Sequence, residues 1–181
     1  MSDSFAEKAI TQICQALPVV VKEGKNRKAR LVMANGSLLA GAAFSNSMVG
    51  LVHAIGHALG GVCRLAHGDA MTILLPAVMK YNLETCRERY GELLLYVAGP
   101  EVYARTPADQ RAQKTIDTLV ALRRRLAEQT GLPLTLSQTG KVKREDFPAV
   151  ARTAMNDGAI IVNPAEADYD EIIGILEEVW A

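Results

Sequence analysis

Gly50-Leu-Val-His53-Ala-Ile-Gly-His57-Ala-Leu-Gly-Gly-Val-Cys-Arg-Leu-Ala-His67-Gly-Asp-Ala70 holds every histidine of the 181-residue chain. Histidine is the commonest metal ligand and the side chain that titrates nearest neutral pH. His53 and His57 are four apart, so on a helix they share a face one turn apart. Val49, Leu51, Val52, Ile55 and Leu59 make that helix apolar on nearly every side, the pattern of a helix central to a core. Gly60-Gly61 offers a stop, since glycine tolerates the left-handed backbone of a C-cap. The chain then turns and brings His67 back toward His53. The plainer alternatives are core histidines bonded to nearby carbonyls, or a surface pair of His53 and His57. Three histidines in one apolar segment favour a metal or proton-transfer site over both.

Outward from this segment the periodicity predicts helices. Ser4-x-x-Glu7 resembles a capping box and precedes Ile10, Ile13, Cys14 and Leu17 at helical spacing, up to Pro18. A second helix is predicted over about 27–44, with Gly36, Gly41 and Ala43 allowing close approach of a neighbour. Ser45-Asn46-Ser47 ends it and offers a cap for the histidine helix. Residues 70–81 predict a buried helix kinked or opened by Pro76, and residues 84–98 a more amphipathic one. Thr106-Pro107-Ala108-Asp109 reads as a helix start and Gly131-Leu-Pro133 as its end. Two further helices are predicted over about 145–156 and 167–180, with Asn163-Pro164 as connector. Val19-Val20-Val21 and Ile160-Ile161-Val162 are candidates for short extended pieces without sheet partners. The expected fold class is all-α, a helical bundle domain spanning 1–181.

Composition narrows the function. Twenty basic residues balance twenty acidic ones, so no basic stripe points to nucleic acid. Cys14, Cys63 and Cys86 are odd in number and scattered through apolar stretches, as reduced thiols of a cytoplasmic protein are. The N-terminus has no basic start with an apolar run behind it, and no apolar stretch is long enough to span a bilayer. The acidic residues between Asp168 and Glu178, and Arg123-Arg124-Arg125, read as solvated helix faces.

Neutral imidazoles suit first-row divalent ions. Asp69, next to His67, is a candidate ligand or a partner that orients the ring. Ala54 stands where the His-Glu-x-x-His motif of zinc proteases has its glutamate, so hydrolysis by an activated water is not indicated. No glycine-rich phosphate loop follows a strand.

Gly50-x-Val52-His53-x-x-Gly56-His57-x-Leu59-Gly60-Gly61-x-x-x-Leu65-x-His67-Gly68-x-Ala70 resembles the histidine signature of the iron-containing (group III) alcohol dehydrogenases. Asp3-Ser-Phe5-Ala-Glu-Lys-Ala9-Ile10, Leu38 to Asn46, Leu74-Leu75-Pro76-x-Val78-Met79-x-Tyr81-Asn82 and Asn163-Pro164 extend the resemblance over nearly the whole chain. It implies the family's C-terminal helical domain, without the N-terminal nucleotide-binding domain. It also implies His53 and His67 as metal ligands, with His57 near nicotinamide and substrate as a proton-relay or positioning group. The implied metal is Fe(II), with Zn or another divalent ion as alternatives. NAD(P) and a small alcohol or aldehyde are implied for the intact enzyme only. The family's other two ligands, an aspartate and a histidine, lie upstream of the segment resembling Asp3-Ser-Phe5, so the 181 residues alone are expected to be inactive and to bind metal weakly. The alternative is a non-catalytic helical module that pairs with a separate nucleotide-binding half or forms a homo-oligomer.

Overall fold

Residues 2–181 are described by a computed structural model, and among them every regular element is helical. The α-helices are α1 (Ser2–Lys22), α2 (Arg27–Ser47), α3 (Leu51–Cys63), α4 (His67–Tyr81), α5 (Leu83–Ala98), α6 (Pro100–Arg105), α7 (Arg111–Thr130), α8 (Phe147–Ala154) and α9 (Tyr169–Glu178). Short 3₁₀ turns at Ala108–Gln110, Ser137–Thr139, Arg144–Asp146 and Gly158–Val162 connect some of them. No single helix among the described residues is long and apolar enough to cross a membrane. The chain forms two compact units, one from the residues up to Met48 with Cys86–Gly131, the other from Val49–Thr85 with Leu132–Ala181.

In the first unit, α1 and α2 pack side by side, joined by a short turn in which the Asn26 side chain caps α2 by accepting the Ala29 N–H at 3.1 Å. Gly36 sets their separation, since a Cβ there would lie 2.9 Å from Ile13 Cγ1. Gly41 faces open space and plays no such part. Helix α1 runs past Pro18 to Lys22, carrying Val19-Val20-Val21 with it. A proline inside a helix costs about 3 kcal/mol, which packing against α2 offsets. Thr115 on α7 is fully buried and donates its hydroxyl to Tyr90 O at 2.7 Å. Thr106 does not open a helix: its hydroxyl bonds back to Val102 O at 2.7 Å and closes α6, and α7 begins later, at Arg111.

In the second unit α3 lies against α4, α8 and the Gly158–Val162 turn, while α9 packs on α8 and α4. Leu51, Ala54, Ile55, Ala58 and Leu59 of α3 meet Ile73, Leu74 and Val78 of α4, Phe147 and Val150 of α8, and Ile172 and Leu176 of α9 in one buried core. Pro76 lies within α4, in neither its first turn nor at its end. Gly60-Gly61 does not stop α3. The helix continues to Cys63 and ends on Arg64 in the left-handed conformation, φ 55°. There Arg64 N bonds Gly60 O at 3.1 Å and Leu65 N reaches Leu59 O at 3.4 Å. This Schellman-type turn drops Leu65 into the core, which offsets the roughly 1 kcal/mol that a non-glycine residue loses there.

The N-terminus of α3 is capped from far along the chain. Ser45-Asn46-Ser47 is spent on α2, where Asn46 Nδ2 and Ser47 Oγ donate back to Ala42 O and Ala43 O. The Leu51 N–H instead donates to Asn163 Oδ1 at 3.1 Å. Asn163 also exchanges amide hydrogen bonds with Asn82, the C-cap of α4, at 3.1 and 2.8 Å, and donates to Ala165 O at 2.7 Å. Glycine is required at position 50 because a Cβ would stand 2.9 Å from Asn163 Oδ1. Asp168, read from the sequence as solvated, forms a reciprocal capping box with Glu171 that starts α9.

Trp180, the one tryptophan in the sequence, packs edge-on against Phe147 in this unit, with ring centroids 5.8 Å apart. Its fluorescence therefore reports unfolding of the second unit. Asn163→Ala is expected to lower the urea midpoint followed by Trp180 by the equivalent of about 1–3 kcal/mol, the cost of a lost cap and unpaired buried amides. An unchanged midpoint would remove Asn163 from this role.

Candidate functional site

The histidines converge because α3 and α4 pack together. His53 sits in the first turn of α3, His57 one turn on, and His67 is the first residue of α4. Ring centroids stand 5.7 Å apart for His53–His57, 5.6 Å for His53–His67 and 5.8 Å for His57–His67. The turn at Arg64 thus brings His67 back toward His53, by a route other than a glycine stop. The helix is buried on one side only: His57 and His67 are exposed and His53 is half-buried.

The rings differ in their partners. His57 Nδ1 meets Asp157 Oδ2 at 2.8 Å. Neither the His53 ring nor the His67 ring has a hydrogen bond to a described residue, so their ring nitrogens are open to an outside group. Asp69, the carboxylate nearest in sequence, lies in the first turn of α4, where its charge favours the helix dipole. Asp157 was not visible as a site residue in the sequence. It lies just past the helix predicted over about 145–156, and nothing local marks its partner 100 residues upstream.

Electrostatics disfavour a proton on His53. Burial, then repulsion by protons on His57 and His67, lower the pKa of His53, outweighing the pull of Asp157. Burial alone would raise the Asp157 carboxyl. The Ala159 amide and the hydrogen bond and charge of His57 outweigh that and hold it below the ordinary value. Cys63, at the end of α3, is no thiolate donor: burial, then the charge and hydrogen bond of Asp146, push its thiol up to about 11.

Two imidazoles sharing one first-row ion, at nitrogen–metal distances near 2.1 Å, stand with ring centroids about 5 Å apart. All three pairs here are within an ångström of that spacing. Among the described residues no group of three or more His, Cys, Asp and Glu side chains is arranged to hold a metal. The residues present fit part of a coordination sphere made of nitrogen donors.

The family described as "Fe-containing alcohol dehydrogenase family, C-terminal" matches residues 1–180. The chain is 36% identical over 180 residues to 1,3-propanediol dehydrogenase of Klebsiella pneumoniae, covering 99% of this chain and 45% of that protein. Alcohol dehydrogenase 4 of Saccharomyces cerevisiae is 32% identical over 182 residues, covering 99% of this chain and 44% of that protein. A crystal structure of 1,3-propanediol oxidoreductase superposes with a TM-score of 0.89 at 35% identity, over 99% of this chain and 45% of that one. The chain thus spans less than half the length of the relatives it matches.

In the metal-free chain, His53 is expected to titrate below 6.5 when its ring-proton shift is followed by NMR. As pH falls, the unfolded chain takes up that proton first. The contribution of His53 to stability is therefore full above about 6.5 and is lost as pH drops toward the folded value. A midpoint at or above 6.5 would contradict this account of its surroundings.

Proposed function

The chain belongs to the iron-containing alcohol dehydrogenase family, matching its C-terminal domain, and on that footing we propose that it supplies the metal-holding side of an alcohol dehydrogenase. The reaction is the NAD(P)-dependent interconversion of a small alcohol with its aldehyde or ketone. His53 and His67 hold a divalent ion, Fe(II) or another first-row ion such as Zn. Held there, the ion would supply Lewis-acid polarisation of the alcohol oxygen, and the nicotinamide of NAD(P) would supply the hydride acceptor. His57, beside the nicotinamide and the alcohol, takes up the hydroxyl proton. The observation that carries this reading is a triangle of three imidazoles in which two have open nitrogens and one is tied to a carboxylate. Because the relatives are more than twice as long, the full reaction is assigned to an assembly that also brings a nucleotide-binding half.

Metal titration of the purified chain, read by Co(II) absorption and metal analysis, tests the ligand assignment. His53→Ala and His67→Ala are each expected to weaken binding by about 100-fold or more, and His57→Ala to leave the stoichiometry unchanged. Equal losses for all three would move His57 into the ligand set. The 181 residues alone should show no robust NAD-linked alcohol oxidation, and steady turnover by the purified chain would sink that part of the reading.

A second reading, association through a helical face, is favoured by α2. Leu31 and Leu38 are seven residues apart on that helix and 62% and 73% exposed, a placement that suits contact with another chain. Light scattering behind size exclusion is expected to give a mass above the 19.5 kDa monomer. Leu31→Glu with Leu38→Glu should return it to the monomer, and a wild-type monomer at all concentrations would remove this reading.

A further inference from the structure

Asp157 makes two contacts that divide its carboxylate. Oδ1 accepts the Ala159 N–H at 2.8 Å and so caps the Gly158–Val162 turn. Oδ2 meets His57 Nδ1 at 2.8 Å. That turn packs against α3, so the carboxylate is fixed to the same scaffold as the ring it touches. An ionised carboxylate only accepts hydrogen bonds, so the proton in this contact belongs to Nδ1 of His57. A neutral imidazole with its proton on Nδ1 carries its lone pair on Nε2.

We propose that Asp157 is a positioning residue for His57, fixing the ring in the Nδ1–H tautomer so that Nε2 is the atom that takes up the hydroxyl proton. The inference deepens the reading above and rests on it for the role of His57, but not for the state of the ring. In the step, the alcohol O–H bond breaks, its electron pair stays on oxygen, and the proton forms a bond to Nε2. The imidazolium so formed keeps its Nδ1–H on the Asp157 carboxylate, which also stabilises the new charge. The side chains of His57 and Asp157 are 46% and 23% exposed. A ring that open samples both tautomers and several rotamers in water unless a charge-assisted hydrogen bond selects one. Among the described residues no such carboxylate bond reaches the His53 or His67 ring, so Asp157 singles out one ring of three alike in spacing.

The test uses the whole chain, metal-free and ¹⁵N-labelled, at about pH 8 where imidazoles are neutral. Long-range proton–nitrogen correlation of the three histidines, assigned by single His→Ala variants, reads the tautomer of each ring directly. Wild type is expected to show His57 with a protonated Nδ1 and a bare Nε2. Asp157→Ala should lower the Nδ1–H to Nε2–H ratio by about 10- to 100-fold, the worth of a charge-assisted hydrogen bond. Asp157→Asn keeps the size and an acceptor for Ala159 N–H, and should shift the ratio in the same direction while Trp180 fluorescence stays native. A wild-type His57 protonated on Nε2, or a ratio that neither substitution moves, overturns the proposal. Failure of the metal reading shows separately, as absent metal binding in wild type, and leaves the tautomer result standing.

Discussion

The side-chain amide of Asn163 is the joint on which the second unit depends. It satisfies the N–H of Leu51 where α3 begins and pairs with Asn82 where α4 ends. The first N–H groups of a helix have no partner inside it, and here the glycine at position 50 brings no side chain to help. The far end of the same helix pair closes through the Arg64–Leu65 turn. His53 is two residues from the Asn163 contact and His67 two residues past Leu65. Both rings are therefore held near helix ends that the fold pins, and their spacing follows from those two closures.

Much of this was legible in the residues. Helical periodicity gave an all-α chain, and the density of histidine in one apolar segment pointed to the cluster before any geometry was known. What could not be read was settled by contacts distant in sequence. Asp157 finds His57 from 100 positions away, and Asn163 caps α3 from 112 away. Local rules failed where packing outweighed propensity. Gly60-Gly61 continued a helix because the core wanted Leu65 one turn later. Pro18 stayed inside α1 because that helix packs along α2. Thr106 had the chemistry of an N-cap and spent it on the preceding helix.

The donor chemistry of the cluster is selective in a physical sense. Three imidazoles crowd one another, so burial and then repulsion by its neighbours disfavour a proton on His53 and favour the neutral ring, whose bare nitrogen can bind. The one thiol at the end of α3 is held protonated by burial and by Asp146. Nitrogen is thus what this surface offers, which suits borderline first-row ions better than soft ones that prefer sulfur or hard ones that prefer oxygen. A carboxylate present among the rings is engaged with His57 and with a backbone amide, and it acts on the cluster through orientation.

Helix α3 meets α4 with no room to spare where Gly56 faces Met71, since a Cβ at position 56 would lie 1.9 Å from Met71 Cε. Methionine is the core side chain most able to repack, so turning the flexible end of Met71 aside relieves the clash. Position 56 is therefore open to a small side chain only while residue 71 stays unbranched and flexible. A β-branched or aromatic residue at 71 would close that route and make glycine at 56 obligatory. The tolerance of one helix at this crossing is set by the stiffness of the other.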